Sequence, residues 1–187
     1  MEKNSHSLFA ARVLRPAAGL LIAAALFGCS TTEHKIASRS YGRSPGTYMA
    51  PEGWVVVKVT GPARTENSLK QKTARNDDAP AITIDASTDF DRRFPHSQKG
   101  CADGFLDGIH DVYDETTQSE AMEVVENPVH GKVQIYRFHS KWYGDHLVAF
   151  VVTKSGFATL ELWASNTRER KAHTVAFHEF VRSVRLK

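Results

Sequence analysis

Histidine is the side chain in excess. The chain holds nine, and two of them, His139 and His146, flank Gly144-Asp145. With Asp145 they offer nitrogen and oxygen donors of the kind that suits zinc or copper. The same residues could serve a hydrolase, with His139 or His146 as base beside Asp145. Metal binding needs imidazoles to converge in threes with defined geometry. The alternative is that the two histidines sit on separate strand faces and are merely exposed. Trp142, Tyr143 and Trp163 form a second candidate set, an aromatic lining for a small-ligand groove. Asp103, Asp107 and Asp111 are spaced by four along one helix face. Paired carboxylates do acid–base work when burial raises one pKa, but this face opposes an apolar stripe and is read as solvated. There is no phosphate loop, dinucleotide fingerprint or HExxH helix. The expectation is therefore a non-enzymatic chain with no catalytic residues, no metal and no cofactor. His139, His146 and Asp145 are the candidates for metal, and Trp142, Tyr143 and Trp163 those for a ligand.

The elements that would position these residues follow from periodicity. Pro51-Glu52-Gly53-Trp54 is a turn into the β-branched run Val55–Thr60, which reads as a strand closed by Gly61-Pro62. Residues 63–80 are polar and read as a long loop or irregular excursion, with an added strand pair as the alternative. Ala81–Ser87 alternates with period two and reads as a second strand. From Gln98 to about Gln118 the spacing predicts a helix. Its apolar face is Ala102, Phe105, Leu106, Ile109, Val112 and Tyr113, and its acidic face includes Asp114. A meander follows. Ala121–Glu126 is a short strand, and Gly131–Tyr143 a longer one with Val133, Ile135 and Arg137 opposite Gln134, Tyr136 and Phe138. His146–Thr153 is apolar enough to be covered on both faces, and Phe157–Ala164 is its hairpin partner. Asn166 or Thr167 caps a last helix whose stripe is Ala172, Val175, Ala176, Phe177, Phe180, Val181 and Val184. Short turns make the sheet largely antiparallel, and helices on both faces give an α+β, α/β/α sandwich.

The N-terminal stretch has a different logic. Lys3, Arg12 and Arg15 precede an apolar run from Ala17 to Gly28, which is about a dozen residues. That is short of the roughly 20 needed to span a bilayer and fits a secretory signal. Leu26-Phe27-Gly28-Cys29 resembles the lipobox of bacterial lipoproteins, with Phe27 where the family usually has a smaller residue. The resemblance implies cleavage between Gly28 and Cys29, acylation of Cys29, and a membrane partner reached through that lipid. It also implies an envelope location; Ser30 resembles the pattern of outer-membrane lipoproteins facing the periplasm. Residues 1–28 are then the signal, 29–47 a Ser/Thr/Gly/Pro-rich flexible tether, and 48–187 a single domain. Removing 1–28 takes the formal net charge from +3 to +1, so bulk charge gives no reason to expect nucleic-acid binding. Cys101 is left without a mate and reads as a small buried hydrophobe on a helix.

The order of elements also resembles the Mog1/PsbP-like family. The likeness rests on Pro51-Glu52-Gly53-Trp54 opening the first strand, the mid-chain helix, the meander from Gly131, and the closing Phe180-Val181-Arg182-Ser183-Val184. Members are typically non-enzymatic: a nuclear-transport GTPase partner, an extrinsic photosystem subunit, and small bacterial lipoproteins. The resemblance implies a domain that binds a protein or another envelope component, and supplies no active-site residues. Envelope hydrolase and small-ligand or metal carrier are the alternatives. Charge contrast fits a binding role. Residues 99–120 sum to −5 and residues 167–187 to +4, a polarity that can steer a protein partner or orient the domain over anionic lipid.

Overall fold

The computed structural model describes residues 32–36, 46–61, 64–73, 81–87, 96–154 and 156–187. The signal and lipobox lie outside them. Two sheets and two helices make up the described chain. A seven-stranded sheet has the order β3-β4-β5-β9-β8-β7-β6, with every described pairing antiparallel. Its strands are β3 (Trp54–Gly61), β4 (Arg64–Gln71), β5 (Ile82–Ser87), β6 (Gln118–Asn127), β7 (Gly131–Ser140), β8 (Gly144–Val152) and β9 (Phe157–Leu162). A smaller sheet, β1-β2-β10, joins Glu33–Lys35, Gly46–Met49 and Arg185–Leu186. Helix α1 (Gln98–Val112) covers one face of the large sheet and α2 (Thr167–Ser183) the other.

Strand β8 explains the layering. Leu147 to Val151 are all fully buried, so both faces of the strand need a cover. Leu147, Ala149 and Val151 join Val133, Ile135, Leu160, Leu162, Phe177, Phe180 and Val181 under α2. Val148 and Phe150 join Phe138, Cys101, Ala102 and Ile109 under α1. Full burial of each large apolar side chain contributes about 1.5–3 kcal/mol. The alternation expected for β7 is observed, and Cys101 is buried as read.

Both helices start at a side-chain cap. Ser97 accepts from Gly100 N at 3.0 Å and Asn166 from Glu169 N at 3.0 Å. Helix α1 stops at Val112, short of the expected Gln118, because Asp114 accepts the Thr116 N–H at 2.9 Å and turns the chain. Asp114 is thus buried rather than on the solvated face. Val112 and Tyr113, read as part of the apolar face, are exposed: the stripe outruns the surface that covers it. Val175 on α2 is likewise exposed.

Three further expectations change. Residues 64–71 form strand β4, registered with β3 from Trp54↔Gln71 to Gly61↔Arg64. Strand β6 is longer than read and carries a bulge between Ala121 and Val124. Part of the stretch read as tether is folded: β1 pairs with β2 through Glu33↔Met49 and Lys35↔Thr47. The folded unit therefore reaches back to residue 33 rather than beginning at 48. Its inner face is apolar, with Ile36 and Tyr48 fully buried, and Tyr48 meets Phe180 edge-on at 5.4 Å. Gly46 permits the closure, since a Cβ there would stand 2.1 Å from the Arg185 carbonyl oxygen.

Burial pushes the Tyr48 hydroxyl pKa up, and its oxygen has no hydrogen-bond partner among the described residues. An unpaired buried hydroxyl destabilises, so Tyr48→Phe should leave stability unchanged or raise it by up to about 1 kcal/mol. Tyr48→Ala should cost about 3–5 kcal/mol. Urea unfolding of the two variants checks both signs.

Candidate interaction site

The β7–β8 turn, residues 141–143, is fixed from the end of α1. Ser140 Oγ donates to Asp114 Oδ2 and accepts the backbone N–H groups of Tyr143 at 2.9 Å and Trp142 at 3.3 Å. Thr116 Oγ1 adds a 2.6 Å bond to Asp114, and the Ser140 bond first and then the Thr116 bonds pull the Asp114 pKa down. One carboxylate thus ties the C-terminal end of α1 to the turn that presents two aromatic side chains.

Behind the turn lies a buried polar group. Glu161 Oε1 accepts from Tyr143 Oη at 2.9 Å and lies 3.0 Å from His146 Nδ1. A carboxylate only accepts, so the imidazole proton sits on Nδ1. Burial, then the Glu161 charge, pushes the Tyr143 hydroxyl pKa up. The His146 ring packs against two aromatic rings, 4.3 Å from Tyr143 and 4.7 Å from Trp163 between centroids. Gly144 gives this room, with φ +100° and a notional Cβ 2.9 Å from His146 Nε2. Around this core the surface is aromatic. Tyr113 is 73% exposed, Trp142 76%, Val112 69% and Trp163 43%. Tyr113 and Trp163 each lie just over 6 Å from Tyr143, and Lys141 Nζ sits 4.9 Å over the Trp142 ring.

Residues brought forward by sequence divide between the two faces of the sheet. His146 pairs in register with Phe138, whereas Asp145 pairs with His139. His146 therefore points to the α1 side, and Asp145 and His139 to the α2 side. The structure brings His146 together with Tyr143 and Trp163, not with His139 and Asp145. Trp142 stands outside the stack, on the surface beside it. Among the described residues no three His, Cys, Asp or Glu side chains are arranged to hold a metal ion. Glu161 was not singled out by sequence; its one signal was an acid inside the apolar strand Phe157–Leu162.

Asp145 is engaged structurally. It receives Arg137 Nε at 2.6 Å, Arg137 Nη2 at 3.0 Å and Thr167 Oγ1 at 2.6 Å. Arg170 Nε is 2.9 Å away as an ion pair, its N–H not aimed at the carboxylate. This joins β7, β8 and the first turn of α2. One further pattern escaped the sequence reading: Gly42-Arg43-Ser44-Pro45-Gly46 spells the serine-hydrolase Gly-x-Ser-x-Gly. A nucleophile elbow is followed by a helix, while Gly46 opens strand β2; Gly42 to Pro45 lie outside the described residues.

No protein-family pattern and no curated sequence matches the chain. The architecture does match a solved one, the solution structure of cyanobacterial PsbP (CyanoP) from Synechocystis sp. PCC 6803. The TM-score is 0.52 at 13% identity, over 86% of this chain and 95% of that one. The chain has a PsbP-like fold. At that identity the likeness is one of fold. The PsbP-like scaffold here places an exposed aromatic cluster at the end of the sheet where α1 stops and α2 begins.

Burial alone would raise the Asp145 carboxyl pKa, but hydrogen bonds from Arg137 and Thr167 and the charge of Arg170 outweigh it and hold the pKa at about 2. The unfolded value is near 3.9. The contribution to stability is therefore complete above about pH 4 and is lost as pH falls through about 2, roughly 2–3 kcal/mol in all. Asp145→Asn should destabilise at pH 7, by about 3–5 kcal/mol for a broken buried pair. The gap to wild type should narrow over that acid window in unfolding titrations. A gap independent of pH would deny Asp145 this role.

Proposed function

We propose that the chain is a lipid-anchored, non-catalytic envelope lipoprotein whose PsbP-like domain binds a protein through its aromatic end. The anchor is the acyl chain on Cys29 after cleavage at Gly28, and the location is the periplasmic side of the outer membrane. The observation that supports binding is the exposed group Val112, Tyr113, Trp142 and Trp163 around Tyr143. Contiguous exposed apolar surface marks interaction sites, and Trp and Tyr dominate the energetics of protein interfaces. The ring positions are set in advance by Asp114, Ser140 and Glu161, which lowers the ordering cost of association. A non-catalytic role fits the side chains that sequence offered for chemistry. Asp145 is neutralised by two arginines, and the His146 Nδ1 edge faces Glu161.

A photo-crosslinking amino acid in place of Trp142, in the native membrane, tests the reading. Val175, equally apolar and exposed but on α2, is the control position. The expected result is a reproducible protein adduct from position 142 and none from 175, with Tyr113→Ala reducing the yield at least about tenfold, as for an interface hot spot. Equal adducts at both positions, or none at 142, would sink it. Cys29→Ser should release the protein from the membrane fraction while the domain stays folded by circular dichroism.

A further inference from the structure

We infer that the end of the domain opposite the aromatic cluster is a docking surface for anionic phospholipid, and that it holds the domain upright on the membrane carrying its lipid. The inference rests on acylation of Cys29.

The first ground is chain length. Thr32 is the residue before β1, and only three Cα–Cα steps separate it from Cys29. Those steps span at most about 11 Å. A lipid at Cys29 therefore leashes the edge of the small sheet close to the head groups. The lipobox and the first strand are separated by a link far shorter than the 19 residues read as tether.

The second ground is what lies beside that edge. In the small sheet Lys35, Thr47 and Arg185 are aligned across the three strands, so Lys35 and Arg185 share the outer face. Arg182 and Lys187, both exposed, flank Arg185. Arg185 Nη1 donates to the carbonyls of Arg182 at 2.7 Å and Val184 at 3.0 Å, which holds this side chain over the C-terminal end of α2. Among the described residues the acids at this end are Glu33, bonded to Thr47 Oγ1 at 2.6 Å, Glu179 on α2, and Glu126, which stands opposite Lys132 in the ladder. The balance is positive, as an anionic surface requires.

The third ground is an exposed apolar residue in the same place. The β6–β7 turn is bound to this end: Asn127 Nδ2 donates to Val181 and Val184 carbonyls at 2.8 and 3.0 Å, and His130 Nε2 accepts Leu186 N at 2.9 Å. That turn presents Val129, 54% exposed. An apolar tip on a turn that is bonded beside Arg185 suits the interface of a bilayer, where the side chain enters and the charges meet phosphates. Strand β7 runs from this turn to the aromatic turn, ten residues or about 30 Å. Seating Val129 in the head groups points Trp142 away from the membrane.

The test uses the mature lipidated protein in vesicles of phosphatidylglycerol and phosphatidylethanolamine, and in phosphatidylcholine. A fluorophore is placed at Val129→Cys or at Lys141→Cys, and quenching by brominated lipid is read. Cys101 does not compete for label, because burial raises its thiol pKa to about 11. Strong quenching is expected at 129 in the anionic vesicles, weak quenching at 129 in phosphatidylcholine, and none at 141 in either. Arg182→Gln and Lys187→Gln should each reduce the preference for the docked state roughly fivefold. Equal quenching at 129 and 141, or no dependence on lipid charge, overturns the inference while leaving the anchor intact. Mass spectrometry of the mature N-terminus separates the two cases: an unacylated Cys29 removes the anchor and the docked orientation with it.

Discussion

Everything in this fold follows from the need to cover β8 on both faces. A strand with five consecutive fully buried side chains cannot lie at an edge or against solvent. It takes β7 and β9 as ladder partners, and alternate residues demand two separate apolar covers. Helices α1 and α2 supply them. At the end where β8 begins, the same alternation sends Asp145 to one face and His146 to the other. Each polar side chain enters a low-dielectric layer and is held there by partners from other elements. Asp145 takes Arg137, Thr167 and Arg170, and His146 takes Glu161 and two aromatic rings. The pairs fix where α2 starts and where the β7–β8 turn sits. The exposed aromatics are consequences of that fixed geometry.

The two ends of the sheet differ in character for the same reason. Where α1 stops, its apolar stripe runs past its cover and Val112 and Tyr113 join Trp142 in solvent. At the other end α2 finishes on carbonyls that accept from Asn127 Nδ2, and the chain turns straight into β10. Asn127 satisfies carbonyls that a helix C-terminus otherwise leaves orphaned, and basic side chains suit that terminus. Helix termini, rather than loops added to the scaffold, set the contrast between an aromatic end and a basic one.

The parts legible in the sequence are those whose burial follows a local period. β7, β8 and β9 announced themselves by alternation or continuous apolarity, and both helices by their stripes, the last also by its cap. The antiparallel α/β/α layering followed from short turns. What could not be read depends on partners far along the chain. Arg64–Gln71 is polar and lacks a β-branched run, so only its ladder with β3 makes it a strand. Glu33–Lys35 is strand because Ile36 and Tyr48 reach a core whose members run from Trp54 to Val184. His139, Asp145 and His146 are close in sequence, but a strand's two-residue period separates them. Glu161, fifteen residues from His146, is the group the histidine meets.

The small sheet also sets the mechanics of the molecule. A pull between a lipid at Cys29 and a partner held at the aromatic end would run through β1, β2 and then the core. The β1–β2 ladder is three residue pairs long, against six between β8 and β9. It is the first ladder on that load path. Under tension β1 would peel first and lengthen the leash while the sheet and its aromatic end remained intact. The protein would behave as a rigid head on an extensible cord, with the extension stored in a strand that at rest is part of the fold.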